Sequence, residues 1–277
     1  MFSQNEEANE IVDIDMLKIS DAVGSSIDNF NISVILFGSY CKGEGGFVDG
    51  KLVNDYDLLL ITDTKKEADD ITEIILELGL QNKADIQWTT NEKIKNLPCT
   101  QQWYEIAKSG IAIDGEMPEF PDWEAFDIPY SDAIQSLERR ATSMILGKYE
   151  MLKGDDCNWD KVMTQIGKMI IALGDAILIK RGMFSPSYRT RALMLGQDNI
   201  SQMYTTAVSH KLLGTPDLNK DGIWELWNMT RNYYLSYVTI NKLRLPIGEA
   251  MLSIDETTPQ DTLKEILVNL GSEGWLE

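Results

Sequence analysis

Asp55 and Asp57 stand two residues apart in the run Asp55-Tyr56-Asp57-Leu58-Leu59-Leu60-Ile61. In an extended strand, residues two apart project on one face, so both carboxylates point together while Tyr56 and Leu58 point the other way. Two like charges side by side are unfavourable unless a cation lies between them. Asp85, in the alternating segment Ala84 to Thr89, offers a third carboxylate from a separate strand. Upstream, Gly38-Ser39 directly follows the apolar run Ser33 to Phe37. A glycine there lets backbone approach a phosphate, and N–H groups with the Ser39 hydroxyl can donate to its oxygens, with Lys42 as a nearby point charge. Carboxylates that hold magnesium beside a phosphate-binding turn are the parts that phosphoryl and nucleotidyl transfer require.

The neighbouring elements can be read from their periodicity. Ile11 to Phe30 has an imperfect helical spacing with Asn31 as its stop, and it feeds the strand Ser33 to Phe37. Gly43, Gly45, Gly46 and Gly50 predict a mobile loop before the strand Tyr56 to Ile61. The segment from Thr64 keeps Ala68, Ile71, Ile74, Ile75 and Leu78 on one helical face and ends at Gly79. A strand at Ala84 to Thr89, a helix from Thr100 to Lys108 and a last strand from Gly110 to Asp114 complete an α/β unit.

Three prolines and several acids then mark a connection. Beyond it, apolar residues recur at helical spacing through Ala133 to Leu152, Val162 to Ile179, Ile200 to Leu213, Ile223 to Leu243 and Leu263 to Leu270. The expected fold is α+β: an N-terminal α/β domain with a mixed sheet over residues 1–115, a linker over 116–130, and a C-terminal helical bundle over 131–277.

The stretch ILFGSYCKGEGGFVDGKLVNDYDLLLIT resembles the signature of the DNA polymerase β-like nucleotidyltransferase superfamily: hydrophobic-Gly-Ser, then, after a loop, Asp-hydrophobic-Asp-hydrophobic. KADIQW is similar to its third-carboxylate strand, and the resemblance covers roughly residues 10 to 115. More loosely, the helical half with IGKMIIALGDAILIKRGMFSPSYRTR resembles the accessory domain of single-subunit members such as the aminoglycoside nucleotidyltransferases. The resemblance implies a nucleotidyltransferase domain in which Asp55 and Asp57 bridge two magnesium ions. Asp85 then binds the catalytic ion beside the acceptor hydroxyl, and Ser39 contacts the β- and γ-phosphates. The reaction implied moves a nucleoside monophosphate from a nucleoside triphosphate to a hydroxyl of a small molecule or protein. The loop between Ser39 and Asp55 is longer than the family usually has, which leaves Lys42 without a fixed role. A rival reading keeps the fold as a catalytically silent nucleotide-binding module acting with a partner protein.

Composition narrows the partners. With 25 Lys and Arg against 44 Asp and Glu, the formal charge of −19 repels a long polyanion, so DNA or RNA polymers are poor substrates, whereas a triphosphate arriving with magnesium meets a local field. The longest apolar stretch, Met169 to Ile179, is short of a bilayer span, and the acidic MFSQNEEANE start is unlike a signal peptide, so a cytoplasmic protein without membrane contact is expected. Cys41, Cys99 and Cys157 form no CxxC pair, and one histidine, His210, leaves no set for structural zinc.

Lys168 and Asp175, two helical turns apart, share a face on which Lys168 could hold the triphosphate tail, or they are an exposed lysine and a buried, paired aspartate. The basic group Lys180, Arg181, Tyr188, Arg189 and Arg191 suits either an anionic ligand or a helix end. Asp217-Leu-Asn219-Lys-Asp221-Gly222 copies half of an EF-hand loop but has Asn228 at the twelfth position, so a helix cap is the expected role. Trp224, Trp227, Tyr233, Tyr234 and Tyr237 form an aromatic stripe expected to lie in a core.

Overall fold

A computed structural model describes residues 1–26, 32–81, 83–197, 200–214, 218–255 and 257–272. The fold is α+β, with a mixed four-stranded sheet followed by a helical region. The chain divides into two compact units: Met1–Ile128 with Ser185–Tyr188 and Leu212–Gly214, and Pro129–Phe184 with Arg189–Lys211 and Thr215–Glu277. The proline-rich segment up to Ile128 therefore belongs to the first unit, where Phe120 packs among Trp103 and Trp123.

In the first unit the chain runs α1 (Glu6–Ser26), β1 (Ser33–Phe37), α2 (Gly38–Cys41), β2 (Phe47–Val48), β3 (Lys51–Leu52), β4 (Tyr56–Ile61), α3 (Lys65–Ile75), β5 (Ala84–Thr89), α4 (Asn91–Ile94), α5 (Gln101–Ser109) and β6 (Ile111–Asp114). The Phe30 end predicted for the first helix lies outside the described residues. The main sheet has the order β5-β4-β1-β6, with β4 and β5 parallel and β1 antiparallel to both β4 and β6. A strand buried on both sides carries apolar residues at successive positions, as β1 does from Val34 to Phe37 and β4 from Leu58 to Ile61. Val34, Leu36, Leu58 and Leu60 face Val12, Met16, Ile19 and Val23 of α1 and Ala68, Ile71 and Ile75 of α3. Ile35, Phe37, Leu59 and Ile61 pack on the other face with Ile94 and Ile106 of α4 and α5.

Local chemistry sets the ends of these elements. Thr64 and Glu67 form a reciprocal capping box that starts α3, and Gly79, at φ 85°, ends the wide turn that follows it. Thr100 caps α5 by accepting the Trp103 N–H. The glycine-rich loop is more ordered than its composition predicts. It contains the β2–β3 hairpin, closed by Asp49 and Gly50 at φ 50° and 76°, the pair of left-handed residues that a two-residue hairpin turn demands.

The second unit comprises α6 (Tyr130–Met151), α7 (Trp159–Lys180), α8 (Tyr188–Leu195, whose first residue counts with the first unit), α9 (Ser201–Leu213), α10 (Lys220–Ile240), α11 (Pro246–Leu252) and α12 (Gln260–Ser272). Its centre is the α6–α7 pair, in which Ala141, Met144 and Ile145 of α6 and Ile166, Met169, Ile170 and Leu173 of α7 are buried. Among the described residues, α7 is the one helix long and apolar enough to cross a membrane, and 72% of its apolar window is buried inside the protein. Helices α8 and α11 carry no periodic signal in the sequence, because each is too short to repeat an apolar face.

Candidate active site

The Gly38-Ser39 turn sits where β1 leaves the sheet. Phe37, the last residue of β1, pairs with Asp57 of β4, so the next residue, Gly38, emerges beside the Asp57 side chain. Gly38 has φ 76°, a backbone region costly for any residue with a Cβ. A Cβ there would also lie only 2.7 Å from Cγ of Asp57, so the missing side chain is what admits the carboxylate. The single helical turn α2 follows. Ser39 is buried, and its carbonyl accepts the N–H groups of Lys42 (3.3 Å) and Glu44 (3.0 Å). The opening N–H groups of a helical turn find no partner inside it, the property behind the phosphate expectation for Gly38 and Ser39.

The carboxylates are arranged by the β4–β5 pairing. Asp57 and Asp85 are direct partners in the parallel register. Tyr56 and Leu58 on either side of Asp57 are buried in the core under α1 and α3, and Ala84 and Ile86 on either side of Asp85 pack against that same core. Alternation therefore puts Asp57 and Asp85 together on the opposite face. Tyr56 confirms the direction, since its hydroxyl donates to Asp15 of α1 at 2.9 Å. Asp55 lies one residue before β4 and is exposed. Among the described residues, no three Asp, Glu, His or Cys side chains already lie close enough together to hold a metal ion. The structure thus aligns Asp57 with Asp85 and sets Gly38 against Asp57, and it leaves Asp55 at the adjoining strand end.

The acidic field reaches the turn. Burial, reinforced by the charges of Asp55 and Asp57, pushes the Tyr40 hydroxyl up to about 12. Burial is also the main reason that the Cys41 thiol is raised to about 11, with Glu105 and Asp57 adding to it and Ser109 and Lys42 opposing. Cys41 is therefore a protonated thiol at neutral pH, not a thiolate nucleophile.

Lys42 sits between an acid and an aromatic ring. Its ammonium is 3.0 Å from Glu105 and 4.5 Å from the centre of the Tyr188 ring, and only 3% of its side chain is exposed. Next to it, Glu44 is buried and accepts the Ser187 hydroxyl at 2.7 Å and the Tyr188 N–H at 3.0 Å. Sequence reasoning missed Glu44, because an acid between glycines carries no sign of burial. The hairpin beyond it did have a signal in Asp49-Gly50 between Phe47-Val48 and Lys51-Leu52.

The remaining candidates fall in the second unit. Lys168 is exposed on α7, whereas Asp175 on the same helix is buried. Asp175 accepts from Arg191 at 2.6 Å and from the Tyr204 hydroxyl at 3.0 Å, and the fully buried Arg191 guanidinium lies over the Phe184 ring. The basic group is thereby dispersed: Arg191 is a core residue, Tyr188 belongs to the first unit, Lys180 and Arg181 are exposed, and Arg189 is half-buried. On α10, Trp227, Tyr234 and Tyr237 are core residues, and Trp224 covers the buried ammonium of Lys148 at 4.0 Å. Asn219 caps α10 by accepting the Gly222 N–H, and Asp217 of the EF-hand-like motif lies outside the described residues. Comparisons of the chain with models of protein families, with curated proteins and with solved structures found no match.

Proposed function

We propose that this protein is a magnesium-dependent nucleotidyltransferase that moves a nucleoside monophosphate from a nucleoside triphosphate to a hydroxyl acceptor. The observation that carries the reading is the direct register of Asp57 with Asp85 on one face of the sheet, beside a left-handed Gly38 that starts a tight turn. Carboxylate oxygens are hard donors suited to magnesium, and Asp55, Asp57 and Asp85 are the residues that would hold it. When bound, the metal supplies charge neutralisation for the phosphates and for the departing pyrophosphate.

In this reading the acceptor oxygen attacks the α-phosphorus in line, a new P–O bond forms, and the bond to the β-phosphate oxygen breaks to release pyrophosphate. Asp85 orients the acceptor hydroxyl and takes its proton. The Gly38-Ser39 turn holds the phosphates through backbone N–H groups and the Ser39 hydroxyl. Positioning and charge stabilisation supply the rate.

The test is pyrophosphate release from each of the four ribonucleoside triphosphates with magnesium, followed by labelled triphosphate in a cell extract to find the fraction that takes up label. Label transfer that disappears in Asp57→Asn supports the reading. Triphosphate binding without transfer in any fraction supports the silent nucleotide-binding module, and no binding of any triphosphate rejects both.

A further inference from the structure

We infer that Glu44, gripped by Ser187 and Tyr188, is the positioning residue that holds the Gly38-Ser39 turn in shape. The inference rests on the nucleotidyltransferase reading for its effect on catalysis, but its structural half stands apart from it.

Three hydrogen bonds of Glu44 carry the argument. Its backbone N–H donates to the Ser39 carbonyl at 3.0 Å, which folds the segment after α2 back onto the turn. Its carboxylate accepts the Ser187 hydroxyl at 2.7 Å and the Tyr188 N–H at 3.0 Å, from residues more than a hundred positions away in the sequence but within the same compact unit. A carboxylate only 2% exposed is costly to bury unless donors satisfy it, so these bonds fix where Glu44 sits. The next residue is held as well. The Gly45 N–H donates to the Phe2 carbonyl at 3.0 Å, and the Gly45 carbonyl accepts the Ser3 hydroxyl at 2.7 Å. Tyr188 also lies under the Lys42 ammonium, so Ser187 and Tyr188 brace both ends of the three residues that close the turn.

The consequence concerns phosphate binding more than chemistry. Backbone N–H groups bind phosphate only when the turn that presents them is rigid, so loosening Glu44 weakens the ground state and transition state alike. Ser187 is the residue to change, because Ser187→Ala removes one donor to Glu44 without touching the turn or the carboxylates. Ser187→Thr keeps a hydroxyl and serves as the rescue.

The experiment measures hydrogen exchange by mass spectrometry on peptides covering residues 38–46, together with pyrophosphate release against ATP concentration. The loss of a hydrogen bond to a charged group corresponds to roughly tenfold faster exchange in that segment. Ser187→Ala should show this while β1 and β4 stay protected, and KM for ATP should rise by about the same factor with kcat at saturation unchanged. Ser187→Thr should restore both. Unchanged exchange at residues 38–46 in Ser187→Ala overturns the inference, as does a fall in kcat at constant KM. Faster exchange in a protein whose wild type binds no magnesium–ATP leaves Glu44 as a brace but removes its catalytic meaning, and in that case the nucleotidyltransferase reading is what fails.

Discussion

The Asp57 carboxylate lies against Gly38 in the space where any other residue would carry its Cβ. The phosphate-turn glycine and the strand aspartate are therefore one packing unit. The turn needs glycine twice over, for its positive φ and for the room it leaves to a charge.

Gly38→Ala should be destabilising and should abolish transfer, because it combines a left-handed alanine with a collision against Asp57. Gly50 provides the control, since it has the same φ of 76° but nothing within 4 Å of an added Cβ. Gly50→Ala should cost only the backbone term, roughly 1–2 kcal/mol, and leave activity intact. Thermal melts with pyrophosphate release check both, and equal losses in the two variants would remove the special role of the Gly38–Asp57 contact.

Asp57→Asn should leave the metal-free protein as stable as wild type or slightly more so, since it removes one of two like charges in register. Magnesium with a non-hydrolysable triphosphate should reverse the order. Wild type gains ~2.7 kcal/mol at a hundredfold excess over the dissociation constant, and the variant gains much less. Melts in EDTA and in magnesium with nucleotide decide this. A variant that unfolds without metal, or that keeps the full ligand-induced shift, would mark Asp57 as purely structural.

Arg191→Met should strip Asp175 of its buried cationic partner and cost ~3–5 kcal/mol, whereas Tyr204→Phe, which removes one hydroxyl donor to the same carboxylate, should cost ~1.5–3 kcal/mol. Urea denaturation of the two variants gives the comparison. If Arg191→Met is neutral, the buried pair is not a stability element of the helical unit.

His210 is the only histidine in the chain, which makes its titration easy to isolate. Burial holds its imidazole below the ordinary 6.5, against a smaller opposing pull from Asp160. The folded state then binds this proton less readily than the unfolded chain does. Stability is accordingly full above about pH 6.5 and falls as the pH drops through the window between 6.5 and the lower folded value. One NMR titration of the imidazole should give a midpoint under 6.5, and His210→Gln should flatten the stability profile in that window. A midpoint above 6.5 would reverse the sign and refute the argument.

Much of the fold follows from residue patterns that act locally. Apolar runs without alternation made β1 and β4 buried strands, the Thr64–Glu67 box started α3, and the helical spacing past residue 130 marked the long helices. Asp49-Gly50 is an equally local hairpin signal, although the four glycines of this segment by themselves predict only a mobile loop. Helix α8 was not legible, because in Tyr188–Leu195 the apolar residues gather at one end instead of on one face.

The spacing of Asp55 and Asp57 and the place of Gly38 after a strand are properties of the chain itself, because strand alternation and glycine's conformational freedom depend on no distant neighbour. The direct register of Asp57 with Asp85 depended on how β4 and β5 pair, and a slip of one residue would have turned Asp85 into the core. Tertiary structure also decided which charges are satisfied inside the protein: Lys42 on Glu105, Asp175 on Arg191, and Glu44 on residues far along the chain. Burial of a charge is tolerated only where donors or an opposite charge meet it, and those partners come from segments whose approach no local pattern encodes.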